Sequence, residues 1–502
     1  MNVRDVDVRL VSVVVGFALT FWVIYVDSTV NTDGFTYLNA AQLFALGEWQ
    51  KGYALYPWPL YSLTIAGVHF VTHLSLENSA YFLNYLFFSL SVYFFLSIVK
   101  AFSDDRAVLV IAAIVILVHP EFNEARADVY RDCGYWAFFL GAIYYFIQFY
   151  LSGKLSSALS WSIMIIIALL FRVEGIVVAM LLPVTLFLRD ETHLKVKFRL
   201  VAMSYSVFVG LGLLAVLWSL VDAGFSEHSF GRLLEPLSRG SALINGSTLE
   251  VRTNMLEKHV VGDMGSDYLY ILMAAILASI CLVKISSAMG IALLALTVNA
   301  ICTKNPVLQG KLRYVFWGLI VIYSMIILAF LAGNFFLQVR YVIPLSLILA
   351  MIIPFSIVKI YRVWDESAGK QRQGIFYFLC LIALYMFGDI LIKSGADKSY
   401  LKDAGLWVNA NIHAPKRILY SDKIIKHYAG EMSPSNYSFN GVKGVLDRPN
   451  HGGFDYVVLR VRRKIAGNRS NALLKRLEQY EIKRFGNEVG DIAVVYDLTS
   501  EK

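Results

Sequence analysis

From the N-terminus to about residue 392 the chain repeats one pattern. Long apolar runs alternate with short polar stretches in which Lys and Arg cluster. Runs of about 18 to 22 apolar residues cross a hydrocarbon core of about 30 Å as helices. The pattern predicts spans over 10–26, 80–99, 107–119, 134–151, 156–171, 175–188, 200–221, a segment within 268–303, 314–333, 340–358 and 374–392. The first run has a basic lead, Arg4 and Arg9, but no clean small-x-small cleavage site follows, so it reads as a retained span. The basic clusters at 100–106, 189–199, 304–313 and 359–372 fall on the cytoplasmic side by the excess of Lys and Arg found there. With the N-terminus inside, residues 27–79, 120–133, 222–267, 334–339 and 393–502 lie outside.

Two stretches strain this scheme. Residues 57–74, "PWPLYSLTIAGVHFVTHL", are apolar enough for a span, but counting them as one inverts the sides of 100–106 and 120–133. They are therefore expected as an interfacial helix. Residues 268–303 are long enough for two passes where the charges allow an odd number, so one pass plus a re-entrant piece is expected. After residue 393 the pattern changes. "RILYSD", "DYVVLRV" and "IAVVYDL" read as short buried strands and "NALLKRLEQY" as an amphipathic helix. This divides the chain into a membrane module, 1–392, and a small extracytoplasmic α/β domain, 393–502, large enough to carry its own core.

Composition agrees: 57% of the 502 residues are hydrophobic and the mean hydropathy is +0.59, well above a soluble domain. The net charge is +8, and residues 393–502 hold 19 Lys and Arg against 12 Asp and Glu, a net +7. A basic tail suits anionic headgroups or phosphorylated glycans as well as it suits an ordinary solvated surface. No nucleic-acid partner is indicated. Cys133, Cys281, Cys302 and Cys380 show neither a disulfide framework nor metal-ligand spacing.

The outer loops carry the chemistry. In "NTDGFTYLNAAQLFALGEW", Asp33 precedes Gly34, which permits a tight turn or close backbone approach. Phe35, Leu38, Ala41 and Ala45 then share one helical face, expected to lie among headgroups and to hold Asp33 at the bilayer surface. The competing reading is that Asp33 only caps the helix. The loop "HPEFNEARADVYRDCGYWAFF" packs Glu121, Glu124, Asp128 and Asp132 with Arg126 and Arg131 into 12 residues. It is a site able to deprotonate a hydroxyl and hold a phosphate, or else a solvated loop of local ion pairs. "FRVEG" sets Arg172 and Glu174 in a turn between two apolar runs. "QVRYVIP" sets Arg340 and Tyr341 at the start of a span. Each could be a charge snorkelling at a helix end, but all four features fall on one predicted membrane face.

In order and spacing these features resemble the GT-C superfamily of polyprenyl-phosphate-sugar-dependent glycosyltransferases. The likeness is nearest to family 39, the protein mannosyltransferase and lipid A aminoarabinose transferase group. It is carried by "TDGFTY", "LFALGEW", "YPWPLYSL", "YRDCGYWAFFLGA" and "RYVIP", and by the tail "LWVNANIHAPKRILYSDKIIKHYAG". The resemblance implies a GT-C fold of about 11–13 spans in a membrane, with the bacterial inner membrane favoured and the site facing the periplasm. A sugar passes from a polyprenyl-phosphate carrier to a glycan, lipid or protein hydroxyl, as in surface-glycan assembly. Asp33 is then the expected base, and Asp132, with Asp128 competing, the second-loop acid. Arg131, Arg172, Arg340 and Tyr341 line the donor phosphate pocket, as does Arg232 or Arg239 of the long loop 222–267, which is expected as a lid. Tyr37, Glu124 and Glu174 line the acceptor cavity. Gly34 stands where the protein mannosyltransferases carry Glu, which weakens the case for a protein acceptor. One acid rather than Asp-x-Asp in the first loop leans against a divalent metal, and no other cofactor is implied. The rival readings are a flippase or transporter for a lipid-linked saccharide, which needs charges at mid-membrane, and a glycan polymerase or ligase using a pyrophosphate-linked donor.

Overall fold

The computed structural model describes residues 7–27, 29–190, 193–221, 247–261, 267–303, 305–363, 369–392, 397–413, 415–431, 439–447, 452–463 and 468–500. Every predicted span coincides with helix. Among the described residues, six helices are long and apolar enough to cross a membrane: Val8–Val26, Leu76–Phe102, Leu269–Cys302, Arg313–Asn334, Ile343–Arg362 and Gly374–Leu391. Arg106–Leu117 and Pro120–Ala127, bent by 62°, make a seventh if taken together. The expected 11–13 also counts Arg131–Ser152, Leu155–Phe171, Gly175–Leu188 and Leu194–Val221. Leu155–Phe171 has 17 residues, about 25 Å of helix, and so falls just short of a full core.

The two doubtful stretches resolve as follows. Residues 60–72 form a 13-residue helix, Leu60–Thr72, about 20 Å long and too short to span. Residues 269–302 form a 34-residue helix broken at Gly290, where φ is +68°. About 21 residues precede the break, enough for one pass. The positive φ requires glycine here, and a Cβ would also stand 3.3 Å from the Pro120 ring.

The chain divides into two compact units. The first comprises residues 1–23, 82–126 and 131–392. Two ion pairs and a buried cluster link its helix ends. At one end, Arg362 pairs with Asp105 at 2.6 Å and Arg313 with Asp190 at 2.9 Å, joining loops assigned to the inside. At the other end, Asp132, Arg172 and Tyr341 meet, all from loops assigned to the outside.

The second unit comprises residues 24–81, 127–130 and 393–502, so the first outer loop packs with the tail. The tail holds a four-stranded sheet ordered β1-β2-β4-β3. β1 (Ile418–Tyr420) lies parallel to β2 (Tyr456–Val461), Ile418 opposite Tyr456. β2 is antiparallel to β4 (Ile492–Asp497), Val461 opposite Ile492. β3 (Glu481–Gly486) forms the other edge. Leu419, Val457, Leu459, Val494 and Tyr496 build the core under helices Phe439–Leu446 and Asn468–Leu477. Helix Ser399–Asn411 packs against β3 and β4. The sequence pattern misses β3 because an edge strand needs no buried face, and "EIKRFG" is charged and mostly exposed.

In the same unit, helix Thr32–Ala45 corrects an expectation. Its apolar face does not lie among headgroups. Phe35, Leu38 and Ala41 are buried against helices Leu60–Thr72 and Lys423–Tyr428, and only Ala45 and Leu46 at its end are exposed. Amphipathic spacing shows that a face seeks burial, not what buries it. Gly34 follows from this packing: a Cβ would stand 2.7 Å from Val30, 2.9 Å from Asn31 Oδ1 and 2.9 Å from Val129 Cβ. The 127–130 segment therefore rests directly on the first helical turn. We expect Gly34→Ala to cost about 1–3 kcal/mol through overpacking, seen as a lower midpoint of thermal unfolding. An unchanged midpoint would show that the segment gives way freely.

Candidate functional site

In the first unit the site grows from a helical hairpin. Arg131–Ser152 and Leu155–Phe171 run antiparallel through a turn at Gly153, φ +65°. The first turn of one helix therefore lies beside the last turn of the other. Gly134 permits the approach, since a Cβ there would meet the Phe171 ring at 2.6 Å. Asp132, second in its helix and 2% exposed, thus reaches Arg172, the residue just past Phe171. Arg172 Nη1 donates to Asp132 Oδ1, and its Nη2 to Glu174 Oε1. Arg172 Nε donates to Glu174 Oε2 at 3.2 Å, which makes a bidentate fork. The Tyr341 ring lies 4.4 Å from the guanidinium carbon of Arg172 and 5.3 Å from that of Arg340.

The electrostatics follow from this arrangement. Burial by itself would raise the Glu174 carboxyl, but the Arg172 guanidinium outweighs it and holds the group below its ordinary value. Glu174 thus remains a charged partner of Arg172. Three of the five N–H groups of Arg172 are committed to carboxylates. The triad alone is net negative. Arg340 across the Tyr341 ring, and Arg131, whose charge also favours the Glu174 carboxylate, turn the cluster net positive, as binding of an anion requires.

Sequence reasoning passed over two features. Tyr135, one turn after Asp132, accepts a hydrogen bond from Tyr323 at 3.4 Å. An i,i+3 search from Asp132 would have found it. Arg126 was grouped with the charged loop, as part of a site or of solvated ion pairs, but is fully buried. It donates to Gly16 O at 2.9 Å, Asn123 Oδ1 at 2.8 Å and Thr20 Oγ1, and lies 4.7 Å from the Phe88 ring. Its partners are neutral, so it pins the first span from within the helix cluster. Glu124 is exposed.

In the second unit, Asp33 lies half-buried in the first turn of Thr32–Ala45, where the helix dipole favours a carboxylate. It is not the cap. Asn31 occupies that position and its Oδ1 accepts from the Val129 N–H at 2.7 Å. Asp128, half-buried, lies in the same unit. Tyr37 is buried edge-on to Tyr56 and Tyr61, at 5.0 and 5.2 Å. His427 stacks on Phe35 at 4.4 Å, and its Nδ1 lies 3.2 Å from Asn39 Oδ1. Arg232 and Arg239 lie outside the described residues, as does most of the loop expected to be a lid.

Burial, and secondarily the charge of Lys402, pushes His427 from 6.5 down to about 4. As pH falls from 6.5 toward 4, the unfolded chain takes up a proton that the folded protein refuses. Stability is therefore full above this window and declines through it. Thermal melts of the full chain are expected to show the decline, and His427→Gln to flatten it. Equal slopes in both proteins would remove His427 as its source.

No family model matches the sequence, and no curated protein matches it. In three dimensions the chain has a GT-C fold, with a small C-terminal sheet. It is similar to the crystal structure of the Archaeoglobus fulgidus oligosaccharyltransferase in complex with Zn and sulfate, with a TM-score of 0.58 at 14% identity over 95% of this chain and 72% of that one. The same protein tethered by a disulfide to an acceptor peptide containing the NVT sequon gives 0.56 at 12% identity, over 90% and 69%. Its apo form gives 0.58 at 14%, over the same shares. Likeness at these identities is likeness of fold. Among the described residues, no three His, Cys, Asp or Glu side chains converge as metal ligands.

Proposed function

We propose that this integral membrane protein is a glycosyltransferase that moves a sugar from a polyprenyl-phosphate carrier to an acceptor hydroxyl at the outer face of the membrane. The observation that carries the reading is a GT-C fold matched over 95% of the chain. The cationic cluster of the first unit supports it. A lipid-linked sugar presents its scissile bond at headgroup level, because the chain is buried and the phosphate is not. In the proposed reaction Asp33 takes the proton of the acceptor hydroxyl as its oxygen attacks C1 with inversion. The sugar–phosphate bond breaks, and the electron pair leaves with the polyprenyl phosphate. Arg131, Arg340 and the uncommitted N–H groups of Arg172 stabilise that leaving group, with Tyr341 between the last two. Asp132 serves here as a positioning residue that holds Arg172. The acceptor is a glycan, lipid or protein. The reading extends to a bacterial inner membrane with the site toward the periplasm, and to a tail, 393–502, that is extracytoplasmic.

The test is sugar transfer by purified protein from a short-chain polyprenyl-phosphate sugar, with and without chelator to read any metal dependence. Transfer is expected. Movement of the lipid-linked sugar across a bilayer without transfer would make the protein a transporter. Activity only with a pyrophosphate-linked oligosaccharide would make it a polymerase or ligase.

A further inference from the structure

The first unit contains an apolar groove of about 720 Å³, whose lining shares no residue with the Arg172 cluster. It runs along Arg106–Leu117, between Ile353–Val363 and the 375–386 part of Gly369–Leu391, with Leu293 and Leu296 at its floor. Three of the four belong to helices long and apolar enough to cross a membrane, and Arg106–Leu117 qualifies when taken with Pro120–Ala127. Its walls are open: Val110, Ile114 and Phe376 are 40–50% exposed.

Among the described residues that line the groove, the charged ones lie at one end. Arg106 and Arg362 line it there, with Tyr361. The Arg362–Asp105 pair ties the two helix ends together, yet the Arg362 side chain remains 64% exposed. The lining extends from Arg106 to Val118, a rise of about 18 Å, or roughly half of a 30 Å hydrocarbon core. The groove is therefore one leaflet deep, with cations at the headgroup level of that leaflet. The loops carrying these arginines are those assigned to the inside, whereas Arg172 and Tyr341 belong to the opposite helix ends.

We propose that this groove binds an anionic glycerophospholipid of the cytoplasmic leaflet, an acyl chain along the helices and the phosphodiester at Arg106 and Arg362. The site is separate from the donor phosphate cluster and does not depend on the transferase reading. Depth argues against a polyprenyl carrier, whose chain is much longer than one leaflet.

The test uses the full chain in detergent, offered phosphatidylglycerol, phosphatidylcholine and a short-chain polyprenyl phosphate, with bound lipid read by native mass spectrometry. Phosphatidylglycerol is expected to be retained over phosphatidylcholine. Arg106→Gln and Arg362→Gln are each expected to reduce that preference about fivefold, the fold-change of one cation near an anionic headgroup. Ile114→Trp, on an open wall, fills the groove and is expected to abolish retention, with the melting midpoint as a check on folding. Equal retention of the two phospholipids, or a preference that survives both Gln substitutions, overturns the proposal. Preferential retention of polyprenyl phosphate, lost in Ile114→Trp, overturns the choice of occupant. None of these outcomes reads sugar transfer, so failure here leaves the proposed reaction standing.

Discussion

Replacing Asp33 by Asn is expected to lower sugar transfer by about 10²–10⁴-fold, the usual contribution of a positioned general base. The substitution is nearly isosteric. It preserves the first turn of Thr32–Ala45, whose cap is Asn31 and whose close packing is set by Gly34. It removes the charge that would accept the proton. Donor retention and the melting midpoint should therefore stay near those of the unaltered protein while turnover falls. Asp33→Glu keeps the charge and displaces it by one methylene, so partial activity is expected. Near-normal transfer by Asp33→Asn would take Asp33 out of the mechanism, and Asp128→Asn would be the next variant to assay. Loss of folding in Asp33→Asn would instead assign the carboxylate to the helix dipole alone.

The second large effect is on stability. Arg172→Ala leaves the carboxylates of Asp132 and Glu174 without their common cation, in a site where Asp132 is 2% and Glu174 19% exposed. Removing one partner of a buried pair costs about 3–5 kcal/mol, so a large fall in the unfolding midpoint is expected. Arg172→Lys keeps a charge but loses the fork to Glu174, and an intermediate loss is expected. Adding Asp132→Asn and Glu174→Gln to Arg172→Ala should recover much of the stability, because no charge is then stranded. A midpoint unmoved by Arg172→Ala would mean that the triad does not hold the hairpin ends. Recovery of stability without recovery of transfer would separate the structural role of Arg172 from its role toward the donor.

These expectations rest on residues that the sequence singled out, but the relations among them came from packing. "FRVEG" was legible as a charged turn, since two apolar runs flank it. That its arginine closes on Asp132, 40 residues earlier, depends on Gly134 and Gly153 bringing one helix end beside the other. The loop 121–132 read as either a site or solvated ion pairs throughout, yet Arg126 is buried with neutral partners and Glu124 is exposed. Composition gives a loop its charges without saying which way each faces. Gly34 was read as permitting a turn or a close approach, and close approach is the constraint, with the Val129 side chain resting against it.

The sequence by itself determined the class of the molecule. Burying long apolar runs, and sorting their basic flanks to one side, is dictated by the cost of polar groups in hydrocarbon and needs no knowledge of tertiary contacts. It likewise determined the buried strands β1, β2 and β4, whose apolar runs have only one use in a polar tail. Only the tertiary structure decided that the first outer loop packs with that tail, that the face of Thr32–Ala45 is covered by protein, and that Asp132, Arg172, Glu174 and Tyr341 form one cluster. Periodicity fixes that a side must be buried. Which partner buries it, and which acid meets which base, is settled by shape and close approach between segments far apart in the chain.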